Sequence, residues 1–496
     1  MLFRIAATSA VGAIVLAILG AVTGPDWTPR PVTEPADVES DSTVIGGAPV
    51  REGGVFDVEA EVLTVELDGV SVQARLLRPV GAAEPVPGVV FVHGAGTGRF
   101  EEAFETQAHE LAAAGIATLV PDKRLDTYST RHRDYVAMAA DYQHSVDLMR
   151  GIGGVDPQRV GIYAESEGCW VAPVMAANDP QSAFVVLASA PVVPPRQQAA
   201  FAVDAYLRNT GVPLSVFRAI PRAVGMEFPG GGFEYADFEV QPFQQQMTQP
   251  VLMAYGTADA SMPIVQGPRQ LVEDVAVAGN DQVTVRYYEG ANHGIKVDGE
   301  LADGYLRDLA TWVHGLPGTA DASPRVAGAT PFQAFLAEPV PQPRWFGDGD
   351  LVLGIVVTGA ALVVVVGPLV FLVGRLLRRR VRLARGLTWP LVAFGAGCLA
   401  TVGALVWYLV SIARLALEYE RNAVVVQGGW LGVRLVGLVT VVALAILAER
   451  VRTVRADPGQ SVATGRFALA GTWTVLVGGG LLLLTLAYWG AFQLGI

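Results

Sequence analysis

A mostly parallel α/β sheet with helices on both faces, joined to an all-α transmembrane bundle, is the fold class this sequence predicts. Three observations predict it. Between residues 88 and 315 short apolar stretches alternate with helix-like ones, the rhythm of strand and helix in turn. After residue 350 come four apolar runs, each long enough to cross roughly 30 Å of hydrocarbon at about 1.5 Å per residue. Charge is divided to match: residues 351–496 carry 13 Arg and 4 acidic residues, whereas residues 1–350 carry 22 Lys+Arg and 43 Asp+Glu.

At 496 residues the chain exceeds one ordinary domain. Only 17% of it is charged and its mean hydropathy is +0.39, below and above what soluble domains show, so part of it belongs in a membrane. The acidic front half excludes nucleic acid as a partner, because phosphate binding needs a cationic face. Cys169 and Cys398 are the only cysteines, one beside a turn and one inside an apolar run. No disulfide framework follows from them, and core packing must supply stability.

Residues 5–22 form an uncharged run behind Arg4, so residues 1–24 read as an N-terminal transmembrane anchor or a signal peptide. Leu19 and Ala21 make a poor small-x-small cleavage site, which favours the anchor. Pro25, Pro29, Pro31 and Pro35 then open a linker over residues 25–54. Residues 55–67 and 70–80, joined at Asp68-Gly69, read as a β-hairpin. Strands are expected at 88–93, 117–122, 159–164, 183–189, 250–255 and 283–288. Helices are expected at 99–114, 133–151, 168–177, 264–278 and 301–315. Together residues 55–316 make one α/β domain, whose reactive groups belong at the C-terminal ends of the strands. Residues 191–249 break the rhythm and read as an inserted cap over the site. Residues 317–350, rich in Pro, Ala and Gly, read as a linker.

Residues 351–496 read as a four-helix transmembrane domain, with runs at about 351–373, 387–413, 429–448 and 467–492. Arg375, Arg378, Arg379, Arg380, Arg382 and Arg385 follow the first run, and Arg450, Arg452 and Arg455 the third. The loop between the second and third, with Glu418, Glu420 and Arg421, is not basic. The positive-inside rule then makes both arginine loops cytoplasmic and puts residues 25–350 outside the cell membrane, as the N-terminal segment independently requires. Arg434 lies near the outer end of the third run and reads as snorkelling to the interface. Gly478 to Gly480 and Gly395 with Gly397 are sites for close helix packing.

The chemistry centres on Ala164-Glu165-Ser166-Glu167-Gly168, between an apolar strand and a helix. Strand, sharp turn and helix hold a serine hydroxyl exposed for attack on a carbonyl, and the small flanking residues let the two backbones approach. His93-Gly94-Ala95-Gly96 follows an early strand, Gly256-Thr257-Ala258-Asp259 a late one, and Asn292-His293-Gly294 a later one still. In this order the pieces resemble the serine α/β-hydrolases, in the branch near dienelactone hydrolases and acyl-peptidase-type esterases. The resemblance covers about residues 55–315 and says nothing of the helical region.

The resemblance implies Ser166 as nucleophile, His293 as general base and Asp259 as the group that fixes the imidazole. Of the six histidines only His293 follows a late strand in a loop able to reach the serine turn; Asp298 is a reserve for the acid. The backbone N–H of Glu167 and, by the family pattern, of Ala95 would bind the oxyanion. Departures are Ala164 in place of the usual glycine and two carboxylates beside the serine. Glu165 and Glu167 read as paired with Arg131, Arg133 or Arg124, or as disfavouring anionic acyl groups. Asp122-Lys123-Arg124 reads as scaffold, and Trp170, Met175 and Met138 as core. No Cys/His metal spacing, Walker loop or dinucleotide fingerprint occurs, so no metal or cofactor is expected. The expected function is a membrane-anchored serine hydrolase cleaving an ester, thioester or amide, with a small-molecule or lipid acyl substrate. Two readings stay open beside it: an envelope acyltransferase using the same triad, and a non-enzymatic sensor or transport-associated protein with a hydrolase-like binding domain.

Overall fold

The computed structural model of the chain describes every residue except 52, 84, 97, 130–131, 232–233, 345, 418–419 and 494–496. Arg131 and Glu418, named above, lie outside the described residues. The chain forms two compact units. One holds residues 29–202 and 234–339; the other holds residues 1–28, 203–233 and 340–496.

In chain order the elements begin with α1 (Leu2–Thr23) and the hairpin β1 (Asp57–Leu67) and β2 (Val70–Val80). There follow β3 (Val86–Val92), α2 (Glu105–Ala113), β4 (Ala117–Pro121), α3 (Tyr135–Arg150), β5 (Val155–Glu165), α4 (Gly168–Asn178) and β6 (Val185–Ala188). Next are α5 (Pro195–Thr210), α6 (Ala219–Val224), α7 (Gln241–Gln244), β7 (Val251–Gly256), α8 (Gln266–Val275) and β8 (Val283–Tyr288). A small hairpin of β9 (Lys296–Val297) and β10 (Glu300–Leu301) precedes α9 (Tyr305–Gly315) and β11 (Val326–Gly328). The apolar helices are α10 (Gly349–Ala361), α11 (Gly367–Leu376), α12 (Thr388–Leu417), α13 (Gly429–Ala456) and α14 (Arg466–Tyr488).

The first unit is built on one nine-stranded sheet, in the order β1-β2-β4-β3-β5-β6-β7-β8-β11. β1 and β2 pair antiparallel, β2 and β4 likewise, and every later neighbour is parallel. Strands β3, β4, β6, β7 and β8 are buried along their whole length, which is why they read as unbroken apolar runs. Tyr135, Val146, Trp170 and Leu271, from α3, α4 and α8, cover one face of the sheet. Leu111, Tyr305 and Trp312, from α2 and α9, cover the other.

Three differences from the expected boundaries have a visible cause. The helix expected from residue 99 begins only at Glu105, because Phe104 turns into the left-handed region (φ 60°) and starts the helix there. The helix expected from residue 301 begins at Tyr305, since Glu300 and Leu301 pair with β9 and Gly304 (φ 79°) makes the turn. The linker expected over residues 317–350 is not free chain as far as Pro339. Residues 326–328 add strand β11 beside β8, and the Gln333 side chain accepts the N–H groups of Val265 and Gln266 at 2.8 and 3.1 Å. Part of the preceding linker is also fixed, Ser40 bridging Ala327 and Arg30 pairing with Glu338 at 2.5 Å.

Among the described residues the second unit contains five helices long and apolar enough to cross a membrane: α1, the continuous Gly349–Leu376, α12, Val424–Ala456 and α14. α1 is a full member. Its Ala17 and Gly20 are buried, Gln493 Nε2 donates to the Ala17 carbonyl at 3.0 Å, and Arg4 lies 3.9 Å from Glu449. α10 and α14 meet backbone to backbone: a Cβ on Gly478 would sit 2.7 Å from the Gly359 oxygen. Gly480 faces open space, so only part of that glycine run serves packing. Arg434, half-buried, donates to the carbonyl of Gln493, five residues beyond the end of α14.

Residues 203–233 correct the reading of residues 191–249 as a single inserted cap, because this stretch packs with the helices. Val212 and Val216 join the cluster formed by Phe394, Trp430 and Leu486, with Leu207 and Phe217 against it. Trp430 Nε1 donates to Ser215 Oγ at 3.1 Å, and Arg421 Nε to the Asn209 carbonyl at 2.7 Å. Arg222, wholly buried, donates to the carbonyls of Tyr488 and, at 2.9 Å, Gly20, near the C-terminal ends of α14 and α1. Carbonyls at helix C-termini have no partner within the helix and attract cations, which accounts for a guanidinium there.

Candidate active site

Ser166, Asp259 and His293 follow β5, β7 and β8, and the sheet brings all three to one edge. Ser166 has φ 53°, the left-handed conformation that a sharp strand-to-helix turn imposes, and its N–H donates to the Ala188 carbonyl at 2.9 Å. Gly168 cannot carry a side chain, since a Cβ there would lie 2.6 Å from the Val92 oxygen. Ala164 can, being two residues before Ser166 and inside β5, where its methyl is buried in the sheet.

His293 Nε2 lies 2.9 Å from Ser166 Oγ, and His293 Nδ1 lies 2.9 Å from Asp259 Oδ2. An ionised carboxylate only accepts, so Nδ1 carries the proton and Nε2 turns its lone pair to the serine. Asp259 is buried, with its second oxygen accepting from the N–H and hydroxyl of Ser261 at 2.8 and 2.6 Å. Burial pushes this carboxyl up, but the bonds from His293 and Ser261 outweigh it and hold it below its ordinary value. The imidazole shows the opposite balance. Burial pushes it down, yet Asp259 and the charge of Glu165 raise it above its ordinary value.

Ser261 and Ser189 were not singled out from the sequence. Ser261 Oγ also lies 3.1 Å from His293 Nδ1, and the buried Ser189 donates to the His293 carbonyl at 2.6 Å. Ser261 stands two residues past the aspartate on the way into a helix, a place that does not by itself mark a role, and nothing marked Ser189. Asp298, the reserve acid, sits exposed at the turn between β9 and β10. His93 is buried with Nε2 2.8 Å from the Pro121 carbonyl, and burial pushes it down to about 4; it stays neutral and braces the loop.

Glu167 is 3% exposed and heavily partnered. Its carboxylate meets Lys123 Nζ and Arg133 Nε at 3.3 Å each, and accepts from the hydroxyls of Tyr128 (2.5 Å) and Tyr135 (3.3 Å). Arg124 instead binds Asp126 and Asp141. Glu165 lines a cavity of about 410 Å³ with Glu101, Glu102, Glu105, Asn292 and Lys296. Among the described residues no acceptor meets the backbone N–H of Ala95 or of Glu167, the two groups expected to bind an oxyanion.

No family model matches the chain, and no curated protein sequence does. Solved structures do. A protein described as a dienelactone hydrolase from Klebsiella pneumoniae is 18% identical, spans 53% of this chain and 99% of its own, and has a TM-score of 0.37. Dienelactone hydrolase from Anabaena variabilis is 19% identical over 51% of this chain and 94% of its own, at 0.35. The Pyrococcus horikoshii acylaminoacyl peptidase is 15% identical over 51% of this chain and 39% of its own, at 0.38. The sheet itself decides the fold, through its strand order, its single antiparallel edge and the left-handed serine between β5 and α4. The fold is that of the α/β-hydrolases.

An imidazole must be neutral to act as a base, so a catalytic role for His293 predicts an acid limb in kcat/KM above the ordinary histidine value. Glu165→Gln removes one of the charges that raise it and is expected to move that limb to lower pH, read from the pH profile of p-nitrophenyl acetate hydrolysis. A limb that stays in place, or moves up, would remove Glu165 from this role.

Proposed function

We propose that the protein is a membrane-anchored serine hydrolase that cleaves an ester, thioester or amide of a small-molecule or lipid substrate through an acyl-enzyme on Ser166. The observation that carries this reading is the unbroken chain from Ser166 Oγ through His293 to the buried Asp259, with 2.9 Å at each link. In the first half-reaction Ser166 Oγ bonds to the acyl carbon while its proton passes to His293 Nε2. The oxyanion takes the N–H groups of Ala95 and Glu167, and collapse expels the leaving group with the proton from Nε2. Water then attacks the acyl-enzyme, gives its proton to the same nitrogen, and releases the acid with Ser166 restored. Treating the purified full-length protein with a fluorophosphonate tests the reading. Mapping the adduct to Ser166 supports it, and no adduct at Ser166 defeats it.

The arrangement of the helices supports an extracytoplasmic site. The Arg4–Glu449 pair sets the chain's start at the end of the bundle that carries Arg450, Arg452 and Arg455. α1 therefore leaves, and α10 enters, at the end of the helical unit opposite the arginine loops, and those loops belong in the cytoplasm. The packing of α1 supports an anchor that is kept. Intact mass and peptide mapping of the membrane-extracted protein are expected to recover residues 2–23; a mature chain starting after residue 20 would refute retention.

A further inference from the structure

The Asp122-Lys123-Arg124 turn lies outside the triad, yet one of its side chains touches both arms of the oxyanion site. Lys123 is 3% exposed. Its Nζ donates to the Gly94 carbonyl at 2.9 Å and to Glu167 Oε2 at 3.3 Å, and lies 4.1 Å from the centre of the Tyr128 ring. The Gly94 carbonyl and the Ala95 N–H belong to one planar peptide unit and point in opposite directions across it. A cation held on the carbonyl therefore fixes where the N–H aims. That peptide lies against the nucleophile, since a Cβ on Gly94 would sit 3.2 Å from Ser166 Cβ.

The second arm is held through a side chain. Glu167 supplies the other N–H, and its buried carboxylate is gripped by Lys123, Arg133, Tyr128 and Tyr135. The same turn also fastens the far side of the loop after β3. Lys123 N–H donates to the Gly98 carbonyl at 2.7 Å, and Asp122 Oδ1 accepts the Phe100 N–H at 2.9 Å.

We propose that Lys123 is a positioning residue that sets both oxyanion donors at once, through the Gly94–Ala95 peptide and the Glu167 carboxylate. The inference rests on the serine-hydrolase reading. It also accounts for a carboxylate beside the nucleophile: Glu167 is the inner anchor of this clamp, turned away from substrate. Preorganised donors aimed at the oxyanion act on the transition state more than on bound substrate, so loss of the clamp should appear in kcat and leave KM nearly unchanged.

The test uses full-length protein in detergent, with Lys123→Met and Glu167→Gln made together so that neither member of the deeply buried Lys123–Glu167 pair is left without the other; Arg133, which also loses Glu167, is one-fifth exposed and keeps water. Removing one oxyanion donor elsewhere costs about 10²–10³-fold in kcat, and a fall of about 10²-fold is expected here with KM within about twofold. Affinity for a trifluoromethyl ketone, which forms a tetrahedral adduct on the serine, should fall by a similar factor. The acid limb of the pH profile should stay in place, because His293 and Asp259 are untouched. Lys123→Arg, which keeps a buried cation, should recover part of kcat. A folded double variant with wild-type kcat and wild-type affinity for the ketone overturns the inference; if the pair fails to fold, Lys123→Gln supplies the same comparison. Absence of fluorophosphonate labelling at Ser166 in the wild type would instead defeat the hydrolase reading itself.

Discussion

Ser166→Ala is expected to lower kcat for short p-nitrophenyl esters by about 10⁴-fold or more and to abolish labelling by a fluorophosphonate. In the proposed reaction the Ser166 oxygen bonds to the acyl carbon, and no other described hydroxyl lies within hydrogen-bonding reach of His293 Nε2. The fold should survive. Alanine and serine meet similar strain at φ 53°, and the serine N–H that holds the turn to Ala188 belongs to the backbone. A thermal midpoint close to wild type would show that the loss is chemical. Labelling that persists in the variant would remove Ser166 as nucleophile.

Asp259→Asn is expected to cost about 10⁴-fold in kcat while leaving the site assembled. An asparagine amide can donate to His293 Nδ1, which moves the imidazole proton to Nε2, facing the serine, where a lone pair is needed. Ser261 can still bond the amide oxygen, so the side chain should stay in place. Substrate binding should change little, and slowed rather than absent fluorophosphonate labelling would separate a wrong tautomer from a missing nucleophile. Activity within tenfold of wild type would mean that Ser261, 3.1 Å from Nδ1, orients the ring without the aspartate.

The parallel sheet was legible because strands buried on both faces leave unbroken apolar runs, as in β3, β7 and β8. The serine turn was legible because Gly168 must be small where it crosses the Val92 carbonyl. Order along the chain then singled out Asp259 and His293. What stayed hidden depends on partners far apart in sequence. Nothing local pairs Lys123 with Glu167, 44 residues on; of the arginines read as partners for the carboxylates beside the serine, Arg133, just before α3, is the one that meets Glu167. β11 is three residues in a Pro- and Gly-rich stretch, with too short a period to announce a strand. Residues 203–233 carry scattered apolar positions, and it is the helices around them that make Leu207, Val212, Val216 and Phe217 a core.

Translation proceeds from the N-terminus, so α1 is made long before Arg222, and Tyr488 long after it. The guanidinium meets its first carbonyl partner 202 residues behind it in the chain, and waits 266 residues for the second. This corner of the protein is therefore finished only when the last span has been threaded into place. A chain halted before Tyr488 would leave the guanidinium with Gly20 alone of these two carbonyl partners, so the last helix completes a contact that the first one begins.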